Sequence, residues 1–196
     1  MRYLMTLFAL GAALFPTLAN AQVEARAGFA IANGTVGGAE VSNGYGVSLN
    51  VQFDVLPVID LYGAFTRYTL GAEVPAGGES LGVVHPQGRD ADVVDLAYSV
   101  GAKFAPTFGP IMPWVKVGGV YDEVELKLKD EVGSVTYRSE GNFGYEAAGG
   151  LSFQFTPLLS VTPGILYRSA SPSFREEAGE SDLSFWAIEL GVAYNY

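Results

Sequence analysis

The chain has 196 residues, with 21 acidic side chains against 11 basic ones, a single histidine and no cysteine. A net charge of −10 argues against a nucleic-acid partner, whose phosphates call for lysine and arginine. The lack of cysteine argues against a small disulfide-stapled secreted module and against thiolate metal sites.

The N-terminus reads as an export signal. Arg2 supplies the positive start, Leu4 to Leu18 is a mostly apolar run broken by Pro16, and Ala19-Asn20-Ala21 has the small-x-small form of a cleavage site. The run is too short for a transmembrane helix. No cysteine follows the site, so no lipoprotein anchor is expected. Residues 1–21 are therefore expected to be a signal peptide and residues 22–196 one domain. In that domain, 25 glycines and 13% aromatics beside only 16% charged residues fit an all-β chain.

Apolar residues at period two mark eight strands. The first spans about 23–32, with Ala25, Ala27, Phe29 and Ile31 opposite Glu24, Arg26 and Gly28. The second, about 43–54, alternates Tyr45, Val47, Leu49, Val51 and Phe53 with polar residues and glycine. In the third, about 58–70, Ile59, Leu61, Gly63 and Phe65 share a face that also receives Arg67. That conflict calls for a bulge or an exit from the bilayer near Thr66. The fourth, about 92–105, sets Val94, Leu96, Tyr98, Val100 and Phe104 against Asp95, Ser99 and Lys103. The fifth runs from about Pro113 past Tyr121, with Lys116 on its polar face. The sixth, about 143–155, opposes Tyr145, Leu151, Phe153 and Phe155 to Glu146 and Ser152. The seventh, about 158–169, opposes Val161, Ile165 and Tyr167 to Thr162 and Arg168. The last runs to Tyr196, with Trp186, Ile188, Leu190, Val192 and Tyr194 on one face and Glu189 and Gly191 on the other.

Phe53, Phe104 and Phe155 are evenly spaced, and each closes a strand just before a short proline-containing turn. Longer polar segments fall between these turns, at about 33–42, 71–91, 129–139 and 170–182. Short connections alternating with long ones suit a meander that crosses a membrane, with both termini on the periplasmic side. Aromatic residues gather at the two ends of the apolar faces, as at the two interfaces of a bilayer. The fold class is thus an all-β, eight-stranded antiparallel up-and-down transmembrane β-barrel.

The opposite faces carry Glu24, Arg26, Asp95, Lys103, Lys116, Glu146, Arg168 and Glu189, four acids and four bases. A lumen of eight strands is only as wide as its side chains, so these charges are expected to pair there. Glu24 could equally stand in solvent. Glu146 and Arg168 lie equally far from the turn at Pro157 and on the same face, which makes them cross-strand partners. Lys103 and Lys116 are expected to face other lumenal acids, giving a closed barrel.

The terminal pattern of Glu189, Gly191, Tyr194 and Tyr196 resembles the C-terminal assembly signal of bacterial outer-membrane β-barrels. With the export signal and the eight strands, the chain resembles the small outer-membrane barrel family that includes the membrane domain of outer membrane protein A, the OmpX-type barrels and the opacity-type adhesins. A terminal tyrosine where that family most often has phenylalanine is a departure. The resemblance implies location in the outer membrane, export by the Sec route, and contact with periplasmic chaperones and the barrel-assembly machinery. It also implies contact with outer-membrane lipids and lipopolysaccharide, as a monomer. Its members include adhesins, envelope-stabilising barrels, narrow pores and a few enzymes, so the fold leaves function open. A non-enzymatic structural or adhesive barrel and a narrow channel are the two expectations.

Little catalytic chemistry is visible, and no cofactor is called for. His85 lies in the longest loop with Ser80 and Asp90 nearby, a hydrolase-like set more simply read as exposed loop residues. Asp122, Glu123, Glu125, Asp130 and Glu131 read as an acidic stretch at the third loop. Glu176, Glu177, Glu180 and Asp182 read as another at the fourth, with solvated charge or cation-mediated lipopolysaccharide contact as their roles. Gly37-Gly38 and Gly77-Gly78 read as flexible loops.

Overall fold

The computed structural model describes residues 21–85, 87–130, 133–174 and 181–195. The expected signal peptide, Tyr196, Glu131, Glu176, Glu177 and Glu180 lie outside the described residues, as does the side chain of His85. Eleven strands follow in order: β1 (Ala21–Val36), β2 (Ala39–Leu56), β3 (Ile59–Val74), β4 (Gly78–Ser80), β5 (Val83–His85), β6 (Arg89–Phe104), β7 (Ile111–Asp130), β8 (Gly133–Arg138), β9 (Asn142–Thr156), β10 (Leu159–Ala170) and β11 (Asp182–Asn195). Eight of them, β1, β2, β3, β6, β7, β9, β10 and β11, pair antiparallel with their neighbours, and the ring closes where β1 meets β11 and β6 meets β7. Closure leaves no open edge around the barrel wall, which lipid would not tolerate. The small strands belong to the extracellular connections: β4 and β5 form a hairpin between β3 and β6, and β8 pairs antiparallel with the outer end of β7.

The strands run further than their apolar runs suggest. Most of 33–42 and parts of 71–91 and 129–139, read from sequence as polar loops, are strand. The acidic stretch read at the third loop is likewise largely strand: Asp122, Glu123 and Glu125 all lie within β7. No bulge occurs near Thr66. The β3–β6 ladder is unbroken from Ile59 to Val74, and Arg67 stays on the outward face.

The reason for the long strands is an inversion of pattern. On β7 the outward residues are Val115, Val117 and Tyr121 in the lower half, then Glu123, Glu125, Lys127 and Lys129. The inward residues are Trp114, Lys116 and Asp122, then Val124, Leu126 and Leu128, all buried. On β11 the order reverses with strand direction: Leu183, Phe185 and Ala187 point inward before Glu189, while Asp182 and Ser184 point outward before Trp186, Ile188 and Leu190. Where lipid lies outside, apolar side chains face out and the lumen takes the polar ones. Where water lies outside, the same alternation buries the apolar set instead. The barrel therefore projects beyond the bilayer as a water-facing barrel with its own hydrophobic core, which includes Val36, Leu70, Val93, Leu126, Phe174 and Phe185. A period-two reading that follows apolar residues alone loses the strand at the crossover.

The outer end is knitted shut. Gly37 and Gly38 are not a flexible loop. Both have positive φ, 57° and 80°, and form the two-residue turn between β1 and β2, as type I′ hairpin geometry requires. The Gly37 carbonyl accepts hydrogen bonds from Ser80 Oγ at 2.6 Å and Leu81 N at 3.2 Å, and Gly37 N donates to Ser181 Oγ at 3.0 Å. Three connections thus meet over the apolar core. A Cβ on Gly38 would collide with the Glu79 carbonyl and would sit at a φ that side chains resist. Gly38→Ala is expected to destabilise the refolded barrel by at least about 1 kcal/mol, seen as a lower urea midpoint. An unchanged midpoint would show that the cap is loose.

Candidate functional site

Two layers of charge fill the membrane-embedded lumen. In the upper layer Arg168, on β10, stands opposite Glu146, on β9, in the ladder. Arg168 Nη2 lies 2.8 Å from Glu146 Oε2, and Nη1 lies 3.0 Å from Asp95 Oδ2 on β6 across the lumen. Glu146 Oε1 also receives Lys116 Nζ at 3.2 Å and the Tyr62 hydroxyl at 2.9 Å. In the lower layer Arg26 reaches Glu24 at 2.9 Å and Glu189 at 3.5 Å. The Tyr68 hydroxyl donates to Glu189 Oε1 at 2.8 Å, and Gln52 Nε2 and Thr162 Oγ1 both donate to Glu24. Every one of these charged groups is buried. Buried charges are tolerated only when paired and hydrogen-bonded, and these residues form such a set from staves all round the ring.

Aromatic rings and glycines give the network its shape. The Arg26 guanidinium lies 4.4 Å from the Trp114 ring centroid, and Lys116 Nζ lies 4.7 Å from that of Tyr62, both within cation–π reach. Trp114 lies against Gly150 and Gly164, where any Cβ would strike the indole. A Cβ on Gly191 would crowd Thr162, Arg26 and Glu24. Glu189 and Gly191, singled out as assembly-signal positions, thus also have a packing role in the lumen. Tyr194 is exposed on the outer face.

The structure decides one charge that the sequence left open and departs from the sequence reading at two others. Glu24 is 1% exposed and belongs to the lower layer. Lys103 faces no acid at ion-pair distance among the described residues. Its Nζ donates to Gln52 Oε1 at 2.6 Å and to Gln22 Oε1 at 3.5 Å. Asp122, read as a loop acid, is a fifth lumenal carboxylate, fully buried and without a hydrogen-bond partner among the described residues. The sequence reading also missed Tyr62, Tyr68 and Trp114. Each falls on an inward position of its strand, so an aromatic residue in phase with the polar face was the available signal.

The other candidates separate. The Ser80 hydroxyl is buried and bonded to the Gly37 carbonyl, and Asp90 is exposed opposite Glu73 on the outer face. Among the described residues no group of three His, Asp or Glu side chains is placed to hold a metal ion. Outside the bilayer, Lys129 Nζ donates to Asp92 at 2.9 Å, and that carboxylate holds the ammonium above the ordinary lysine range. At the periplasmic end lies a cavity of about 690 Å³, lined by residues including Gln22, Asp54, Asp60, Met112 and Asn195. Lys103 and Trp114 also line it.

Eight antiparallel staves, an apolar outer face and a lumen of paired charges define a small transmembrane β-barrel. The chain belongs to the outer membrane protein beta-barrel domain family, which it matches over residues 4–196, and its place is the outer membrane. It is similar in fold to Neisserial surface protein A, with TM-score 0.63, 15% identity, 89% of this chain and 96% of that one covered. It is also similar to OprG of Pseudomonas aeruginosa, with TM-score 0.59, 11% identity and 90% and 95% coverage. A third likeness is to Ail, the attachment invasion locus protein of Yersinia pestis, with TM-score 0.55, 13% identity and 90% and 98% coverage. No curated protein matches the sequence significantly.

Removing one partner of a buried pair strands the other, at about 3–5 kcal/mol. Arg168→Ala leaves Asp95 without a cation, while Glu146 keeps Lys116 and the Tyr62 hydroxyl, so Arg168→Ala should destabilise the refolded barrel more than Arg168→Ala combined with Asp95→Ala. A double-mutant cycle with no coupling energy would show that the pair contributes nothing.

Proposed function

We propose that this protein is a non-enzymatic, closed outer-membrane barrel that acts structurally or adhesively through its extracellular surface. The observation that carries this reading is the filled lumen. The two charge layers lie beneath an apolar core, and three connections meet above that core. A solute entering from outside would have to displace a packed hydrophobic interior. The narrow-channel reading finds no such support, because the cavity at the periplasmic end stops at the lower charge layer.

Activity at the outer surface is supported by exposed apolar residues where water would disfavour them. Val83 and Val84 on the β4–β5 hairpin are 53% and 59% exposed, and Val135 on β8 is 51% exposed. Exposed apolar side chains grouped on loops mark interaction sites more often than idle surface. Assembly would follow the resemblance: cleavage after Ala21, delivery by periplasmic chaperones, and recognition of Glu189, Gly191, Tyr194 and Tyr196 by the barrel-assembly machinery, giving a monomer in lipid and lipopolysaccharide.

Refolded protein in a planar bilayer is expected to show no steady conductance, and sustained open-channel current would overturn the closed-barrel reading. Cells carrying Val83→Ser with Val84→Ser should keep surface levels of the protein and lose adherence relative to the unmutated form. Equal adherence would move the function away from this hairpin. Deleting Tyr194, Asn195 and Tyr196 should leave unfolded protein in the periplasm. Normal surface levels of the truncated chain would show that the terminal pattern is not the assembly signal.

A further inference from the structure

The periplasmic mouth of the lumen holds polar groups that the two charge layers leave unused. Three residues lining the cavity there are buried: Lys103, Trp114 and Ser152. All three carry hydrogen-bond donors. Trp114 Nε1 and Ser152 Oγ have no hydrogen-bond partner among the described residues. An indole N–H can only donate. Lys103 Nζ meets the neutral oxygens of Gln52 at 2.6 Å and Gln22 at 3.5 Å. Buried donors without acceptors are costly, and an ammonium among them calls for an anion.

The rim of the same cavity has the opposite sign. Asp54 and Asp60 line it and stand opposite one another in the β2–β3 ladder. Asp60 in turn stands opposite Lys103 in the β3–β6 ladder, yet neither acid forms an ion pair among the described residues. Asp54 lies two residues nearer the periplasm than Gln52, which holds the Lys103 ammonium, a step of about 7 Å along the strand. Met112 and Leu158 add apolar wall. At about 690 Å³ the cavity has the size of a small-molecule site rather than of a single inorganic ion.

We propose that the periplasmic mouth binds a small organic zwitterion of dipeptide length. Its carboxylate meets Lys103 Nζ, Trp114 Nε1 and Ser152 Oγ, and its ammonium meets Asp54 and Asp60. Two residues of extended chain reach about 7 Å, which matches the step from Lys103 to the acidic rim. A single α-amino acid joins its two charges through one carbon and is too short to reach both. A dianion such as phosphate would meet like charge at the rim, which selects against it. The lower charge layer closes the inner end, so the ligand enters and leaves on the periplasmic side. This is a second site, apart from the extracellular surface.

The test is isothermal titration of L-alanyl-L-alanine into the refolded protein in detergent micelles, beside its N-acetyl form, its C-terminal amide and inorganic phosphate. The free dipeptide should bind, and each blocked form should bind about tenfold more weakly or less, the effect of losing one charge-assisted contact. Lys103→Met should weaken dipeptide binding by a similar factor. Asp54→Asn and Ser152→Ala, which break no ion pair and leave the fold intact, should weaken it as well. No binding to the unmutated protein would overturn the site, its donors then being hydrated. Unchanged affinity in Lys103→Met and Ser152→Ala would overturn the carboxylate pocket. Equal affinity for the N-acetyl form, or tighter binding of phosphate, would reduce the site to one for simple anions and overturn the zwitterion assignment.

Discussion

The cluster around Arg168 is the interaction on which the rest of the lumen depends. Its guanidinium spans two carboxylates from the strands on either side of β7, Glu146 on β9 and Asp95 on β6. Neither acid has another arginine. Glu146 then positions Lys116 and the Tyr62 hydroxyl, so five staves share one hydrogen-bonded centre. Eight strands leave a lumen that side chains must fill. Once lipid claims the apolar side chains for the outside, only polar ones remain for the inside. They are stable there only in mutual contact. Pairing is thus a consequence of closing a narrow barrel in lipid, and plugging the lumen is a consequence of pairing.

The second constraint is the change of solvent along the barrel. Below the extracellular band of aromatic residues the medium outside is hydrocarbon; above it the medium is water and headgroup. The strands do not stop at that boundary. They continue with the alternation unchanged and the chemistry exchanged, so that Val124 and Leu126 occupy the lumenal positions that Lys116 and Asp122 hold lower down. The upper part stabilises itself as a soluble domain does, by burying apolar area. The lower part relies on the bilayer outside and on ion pairs inside. The hairpin turn at Gly37 and Gly38 joins the two by bringing the connections down onto the apolar core. A barrel built this way presents a fixed outer surface, which suits contact with partners better than passage of solutes.

Much of this was legible in the amino-acid order. The eight staves and their inward charges follow from period-two alternation, and the opposition of Glu146 to Arg168 follows from equal distance to the turn at Pro157. The upper half of each strand was not legible in the same way. A search for apolar residues on a constant face takes Glu123, Glu125 and Lys127 for a loop, because at that point the apolar residues have changed sides. Asp122 was lost for the same reason, being the last polar residue of the lumen rather than the first of a loop. The partners of Lys103 were hidden because Gln22 and Gln52 are neutral, and a search for opposite charges passes over them. Arg67 was noticed as an exception, and the unbroken β3–β6 ladder shows that no bulge accounts for it.

The account stands on the crossover of chemistry between the two faces of β7, and because the chain has no cysteine, single-cysteine variants test it directly. Cysteines placed one at a time at positions 115, 117, 120, 123, 124, 125 and 126 would be challenged with a small water-soluble thiol reagent in membranes. The account predicts fast modification at 123 and 125, which face water. It predicts protection at 115 and 117, which face lipid, and at 120, 124 and 126, which face a packed interior. Fast modification at 124 and 126 would mean that the upper lumen holds water, and the closed barrel would be wrong.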